Sequence, residues 1–357
     1  MEEKMKASAG LLCGILFINV ASAATVEKLK RPWEGISDPL IMSSTFQRTF
    51  RNMPKSGVAK GVKRLWSSDY WALRYGNINN RWNTPRPTGY GYHSPTKEEA
   101  LKMTDAQLRA LAPSEKFDLF NGHYDYPLRK DVATHASPDI PLWMGICHGW
   151  APAAVNHDEP NPITVANPDG VQVPFGSSDI KALLSYYYAY KYRAVSTHQM
   201  GRRCEDDLFG DNCKHDMNAG AFHIVLTNRV GIEGGSFIAD IERKAEVWNH
   251  PITHYTTYID EDNIEPDYNS ARGTVKRVNM RTTMGYVFEI KSNNWYPVIG
   301  TRDQVVFEKR YQYYLDINSA GAVIGGDWIS KDRPDFLWNV DRVPGFVGMF
   351  ARLGELL

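Results

Sequence analysis

WMGICHGWAPAA, residues 143–154, places small residues ahead of a cysteine and an alanine-rich run behind it. Gly145-Ile146 before Cys147, and His148-Gly149-Trp150 after it, describe a chain that turns sharply and enters a helix. A thiol at a helix N-terminus feels the positive end of the macrodipole, which favours thiolate. Free cysteine also packs as a small hydrophobe. These twelve residues alone leave both readings open, core filler and nucleophile.

The amino-terminal residues bear on the choice. MEEKMK carries lysines, SAGLLCGILFINV is apolar, and Ala21-Ser22-Ala23 supplies small residues where a signal peptidase cuts. This layout predicts a secretory signal peptide over 1–23 and an exported chain, secreted or periplasmic. The apolar run is too short for a good membrane span, and no later segment is long and apolar enough for one. Cys13 leaves with the signal, so the mature chain keeps Cys147, Cys204 and Cys213. Cys204 and Cys213 lie in RRCEDDLFGDNCKH, a polar loop that turns at Gly210 and Asp211-Asn212, and an oxidising compartment makes them natural disulfide partners. Cys147 is then the leftover thiol, which flags reactivity. A zinc site from Cys204, Cys213 and His215 is the competing idea, but its spacing matches no common ligand pattern.

Composition narrows the class further. Lys+Arg and Asp+Glu are 41 each in 357 residues, a neutral balance that argues against a nucleic-acid partner. Hydrophobic residues at 43% are enough for a sizeable core. Residues 24–95 are rich in aromatics, Arg, Asn and Pro without clean periodicity, and form an irregular segment and possible pro-region. Residues 96–357 then make the catalytic domain. Thr96-Lys97-Glu98-Glu99 and Thr104-Asp105-Ala106-Gln107 are successive capping boxes that open helices. A helix runs from Cys147 to near Asn156, and another follows Ser178-Asp179 through IKALLSYYYAYKYRA.

Past Cys213 the period becomes two. AFHIVLTNRV, GGSFIADIERKAEVWN, TTYIDED, GTVKRVNMRTTMGYVFEI, VVFEKRYQYYLDIN and AGAVIGGDWI read as strands. Helices followed by an antiparallel sheet is the α+β arrangement. A cysteine acyltransferase needs a nucleophile at a helix end, a base beside it and a group orienting that base. In papain-like architecture these come from a helix start, a strand start and the next strand. Cys147, His223 in FHIVLTN and Asp240 in SFIADI occur in that order. His148 is a rival base expected to line the pocket, since adjacent helical residues diverge. Asp179, Asp260 and Asp267 are rival orienting groups.

WMGICHGWAPAA, GSSDIKALLSYYY, FHIVLTN, SFIADI, AEVWNHPITHYTTY and GAVIGGDWISKDRPDFLW together resemble the transglutaminase elicitor family, secreted cell-wall glycoproteins of oomycetes and their bacterial relatives. The resemblance covers about residues 98 to 340. It implies a papain-like, transglutaminase-like cysteine acyltransferase core and a calcium-dependent protein-glutamine γ-glutamyltransferase, with a triad on Cys147, His223 and Asp240. Its partners would be proteins with accessible Gln, and Lys or small amines, with deamidation as a side reaction. VWNHPITHYTTY is similar to the family's short surface peptide, with Trp248 and Pro251 at its key positions. One oxyanion donor would be the Cys147 N–H, with Trp143 a candidate for the other and Trp150 a further pocket residue. Calcium ligands have no sharp signature in DEDNIEPD (260–267) or EDDLFGDN (205–212). The alternatives are a papain-like cysteine peptidase and a non-enzymatic cell-envelope interaction protein.

Overall fold

Both capping boxes form. Thr96 Oγ1 accepts the Glu99 N–H at 3.2 Å while Glu99 Oε2 accepts the Thr96 N–H at 2.7 Å. Thr104 and Gln107 repeat this reciprocal pair at 3.3 and 2.8 Å. They start α1 (Lys97–Ala100) and α2 (Asp105–Ala110), followed by α3 (Pro113–Phe120) and α4 (Pro127–Ala133). The computed structural model describes residues 33, 35–43, 46–60, 65–82, 89–192, 197–203, 217–290, 304–340 and 345–357. The signal peptide, Cys204, Cys213 and His215 lie outside them.

The helical layer is completed by α5 (Cys147–Asn156) and α6 (Ser177–Tyr186). Its core joins Trp150, Ala153 and Ala154 of α5 to Phe117, Phe120, Leu183 and Tyr186. Across it runs an ion pair between Lys116 Nζ and Asp179 Oδ2 at 2.7 Å, both side chains fully buried. Asp179 also accepts from the Gly176 N–H and from Trp82 Nε1, each at 2.7 Å. A buried charge pair persists only when its remaining lone pairs are so satisfied. Asp179 is therefore part of the scaffold and not a group that orients a base.

Residues 65–80, within the stretch expected to be a possible pro-region, are built into this core. Trp66 and Ile78 are fully buried and Trp71 nearly so. The Trp66 indole donates to the His157 carbonyl at 3.0 Å, and the Trp150 indole donates to the Trp66 carbonyl at 3.1 Å. Two backbone bonds, Ile146 N–H to the Tyr70 carbonyl at 2.7 Å and Leu73 N–H to the Met144 carbonyl at 2.9 Å, fix the turn ahead of Cys147.

The second layer is antiparallel throughout. Its strands are β1 (Ser56–Val58), β4 (Thr197–Gly201), β5 (Ile238–Asp240), β6 (Asn249–Ile264), β7 (Thr274–Phe288), β8 (Val305–Asn318), β9 (Val323–Trp328) and β10 (Phe336–Val340), in the order β4-β10-β5-β6-β7-β8-β9 with β1 added on β6. A separate hairpin joins β2 (Ile163–Ala166) to β3 (Gln172–Phe175). The fold is thus α+β, as the change of period predicts.

Two stretches differ from that expectation: of residues 234–249, expected as a strand, only Ile238–Asp240 and Asn249 lie in strands, and residues 219–226 change type. Residues 219–226, expected as a strand, form the helix α7 (Ala219–Leu226), with every residue buried. An apolar run buried on all sides does not separate helix from strand by period. The Asn218 side chain caps the helix, accepting the Gly220 and Ala221 N–H groups at 2.9 and 3.3 Å. α7 packs on the sheet, with Phe222 edge-on to Tyr311 and Tyr313 at 5.8 and 5.9 Å.

The close approach of α5 to α6 depends on Gly149, where an added Cβ would lie 2.0 Å from the Ser185 carbonyl oxygen. Gly149→Ala should force the helices apart and lower stability by about 1–3 kcal/mol. Urea unfolding checks this, and an unchanged midpoint would contradict the packing.

Candidate active site

Cys147 is the first residue of α5, with Ile146 as N-cap. The first N–H groups of a helix have no intrahelical acceptor, so the thiol sits at an electropositive end. Its side chain is 5% exposed and faces the start of β6. The thiol donates to the Val247 carbonyl across 3.7 Å, and Asn249 Nδ2 donates to the sulfur at 3.6 Å. In front of the sulfur lies a cavity of about 510 Å³, walled by Leu73, Trp143, Met144, Tyr190, Phe336 and Trp338 and edged by His148, Gln199 and Arg203.

The sheet register explains how these groups meet. Directly opposed residues project to the same face. Phe336, Asp240 and Asn249 form one cross-strand row, and Gln199, Trp338, Ile238 and Pro251 the next. Phe336, Asn249, Gln199 and Trp338 all line the cavity. Asp240 lies between two of them and faces the same side. Its Oδ1 accepts the Trp248 N–H at 3.3 Å, while the buried Oδ2 has no hydrogen-bond partner.

The electrostatics favour the protonated thiol at rest. Burial pushes the Cys147 thiol up to about 11; the backbone and side-chain donors of Asn249 work against this, and the charges of Glu289 and Asp240 add to it. Burial first, and Asp335 second, push Asp240 up to about 8. A group that takes up the thiol proton is therefore needed before the sulfur can attack.

His223 is not that group. It lies on α7, its Nδ1 shares a hydrogen bond of 2.8 Å with the Tyr313 hydroxyl, and its ring packs against Phe50. It belongs to the core under the sheet and does not line the Cys147 cavity. Burial holds its pKa down to about 3. The expected Cys147–His223–Asp240 triad is corrected accordingly: the structure sets Asp240 beside Asn249, where its charge reaches Cys147, and leaves His223 elsewhere. The cause is the helix at 219–226, which takes the histidine off the strand that was to present it.

His148 is the histidine that lines the cavity among the described residues. It is exposed at the mouth, with its ring edge-on to Tyr190 at 6.1 Å, and the cavity wall, by keeping water from part of the ring, lowers its pKa. Trp143 lines the cavity beneath the Arg203 guanidinium, which is 5.9 Å from its ring. Trp150 is fully buried and serves packing, its indole held by the Trp66 carbonyl. His250 follows Asn249 on the other side of the pleat, with Nδ1 donating to the Val287 carbonyl at 3.0 Å.

The 247–258 stretch is also corrected. Trp248 is half-buried against Tyr70, with ring centroids 5.3 Å apart, and Pro251 is buried with Asn249, His250 and Ile252. It is the opening of an interior strand rather than a surface peptide, because β5 and β7 flank it on either side. In residues 260–267, Asp260, Asp262 and Asp267 pair with Arg281, Lys276 and Arg277 at 3.0, 2.7 and 2.7 Å. Among the described residues no three His, Cys, Asp or Glu groups converge for a metal. Residues 205–212 and the expected Cys204–Cys213 disulfide lie outside them, and Cys147 is a free thiol. No described helix is long and apolar enough to cross a membrane.

A family model described as transglutaminase elicitor matches residues 129–348. Among solved structures, the crystal structure of the GP42 transglutaminase from Phytophthora sojae superposes with a TM-score of 0.65 at 22% identity, covering 90% of this chain and 97% of that one. At that identity the likeness establishes the fold. No curated protein sequence matches the chain.

Burial has a measurable consequence. Asp69 and Asp118 are held at about 7, and Asp240 and Glu289 at about 8, by burial. The native state keeps these protons where the unfolded carboxyls have released theirs, so stability falls as pH rises towards the folded values. His223 and His250, held at about 3 and 4 by burial, contribute only below their ordinary value of 6.5. Unfolding free energy from urea titration should therefore fall between pH 6.5 and about 8. A rise across that window would contradict the buried carboxyls.

Proposed function

Because the chain belongs to the transglutaminase elicitor family, we propose that it is a protein-glutamine γ-glutamyltransferase with Cys147 as nucleophile. The observation that carries this is the thiol at the start of α5, opening on an apolar cavity large enough for a side chain and its flanking residues. His148, accessible and lining the same cavity, accepts the thiol proton. The sulfur then attacks the glutamine carboxamide, forming the S–C bond while the carbonyl pair moves to oxygen. Collapse restores the carbonyl and breaks the C–N bond. His148 returns the proton to the departing nitrogen, which leaves as ammonia. The resulting thioester is attacked by a lysine amine, whose proton passes through His148 back to the sulfur. Water in place of the amine gives glutamate.

Asp240 acts on the sulfur through its charge. Ionisation of the carboxyl above about 8 makes the thiol harder to deprotonate. The aromatic wall formed by Trp143, Tyr190 and Trp338 limits access of bulk water and so favours the amine over hydrolysis. Export through residues 1–23 would place the reaction outside the cytoplasm.

The test supplies a glutamine peptide and a fluorescent primary amine to the purified chain. Amine incorporation with stoichiometric ammonia release is expected, and Cys147→Ala should abolish both. His148→Gln should lower kcat by about 10²–10⁴-fold with the fold retained. His223→Gln should act on stability first, because its ring is packed in the core. Peptide cleavage without incorporation would make the protein a cysteine peptidase instead.

A further inference from the structure

We propose that Asn249 is a catalytic residue of this site, its side-chain amide donating to the reacting atoms, and that Trp338 is the positioning residue that holds it. This rests on the transglutaminase reading of Cys147 for its substrate, but its geometry is independent of that reading. Trp338 Nε1 lies 2.7 Å from Asn249 Oδ1. An indole nitrogen only donates, so the atom it meets must be the amide oxygen. The two ends of an asparagine amide are distinguished by such partners, and here the partner leaves no choice. The NH₂ end is thereby turned to Cys147, with Nδ2 3.6 Å from the sulfur.

The setting gives this donor leverage. Asn249 is 4% exposed, so its amide does not compete with bulk water. The residue is fixed from both sides by the backbone, being the first of β6 and paired in register with Asp240. Its backbone N–H acts in the same direction on the thiol pKa. The amide thus meets the thiol from the sheet, while Cys147 itself opens the helix α5. When sulfur bonds to the carboxamide carbon, the oxygen that gains the electron pair is attached to that same carbon. A donor already at the sulfur needs little movement to meet it, which is the requirement for an oxyanion donor. Asn249 therefore fills the second donor position for which Trp143 was the sequence candidate. Trp143, held under Arg203, is left as cavity wall.

Two readouts separate this role from packing. The first is the pH profile of iodoacetamide alkylation at Cys147, followed by mass spectrometry on the full chain. The second is the split between kcat and KM for amine incorporation. Asn249→Ala should move the alkylation profile to higher pH and lower kcat by about 10²–10³-fold, with a much smaller change in KM. Trp338→Phe keeps an aromatic side chain in the cavity wall and removes the N–H donor along with the five-membered ring. It should shift the profile in the same direction and by less. Adding it to Asn249→Ala should change neither the profile nor kcat further, because its effect passes through the amide. An Asn249→Ala protein with the wild-type profile and kcat would overturn the proposal, as would full additivity of the two substitutions. If Asn249→Ala fails to fold, Trp338→Phe decides alone, and an unshifted profile counts against the assignment. If the wild-type chain transfers no amine, the function fails, and the alkylation profiles still determine whether Asn249 serves the sulfur.

Discussion

The site depends on one junction, where the first turn of α5 abuts the first residues of β6. Val247 and Asn249 hold the Cys147 sulfur from the sheet side. Behind the helix, Gly149 lets α6 approach so closely that a single Cβ would not fit. Ahead of it, the Tyr70 and Leu73 backbone bonds pin residues 144–146. The thiol is therefore clamped by a helix, a strand and a strap from early in the chain. That geometry is costly to rearrange, since interiors are packed to crystal density.

The junction also sets the chemistry. A helix end and the Asn249 donors favour thiolate, but burial opposes it more strongly and leaves the thiol protonated at neutral pH; ionisation of Glu289 and Asp240 above about 8 adds to this. Activation is thus tied to a proton acceptor in the cavity. His148, proposed for that role, lines the cavity from the residue beside Cys147. The divergence of neighbouring side chains on a helix is an argument about direction at Cβ; an imidazole at an open mouth has room to turn that a buried one lacks.

The correction at His223 has a single cause. The run AFHIVL is apolar at every position, so its period carries no information, and its flanking Asn218 reads equally as turn or cap. Long-range packing of α7 against β8 and β9 chooses the helix. The same blindness affected the 247–258 stretch. Its charged, aromatic and polar residues look like surface, yet β5 and β7 enclose its first half and bury Asn249 through Ile252.

By itself the sequence determined the α+β class, both capping boxes, the helix that starts at Cys147, and strands β7, β8 and β9. These rest on local interactions: a side chain capping its own helix, an alternation matching one pleat. The order of strands, the row that joins Asp240 to Asn249 and Phe336, and the removal of His223 from the cavity were decided only by tertiary structure, whereas His148 lines the cavity as expected of its place beside Cys147. Residues 102 and 191 positions apart in the chain meet there, as Cys147 does with Asn249 and Cys147 with Trp338 around one cavity. Such meetings are set by sheet register, which no local spacing encodes, and the register is fixed by which faces the whole chain can bury.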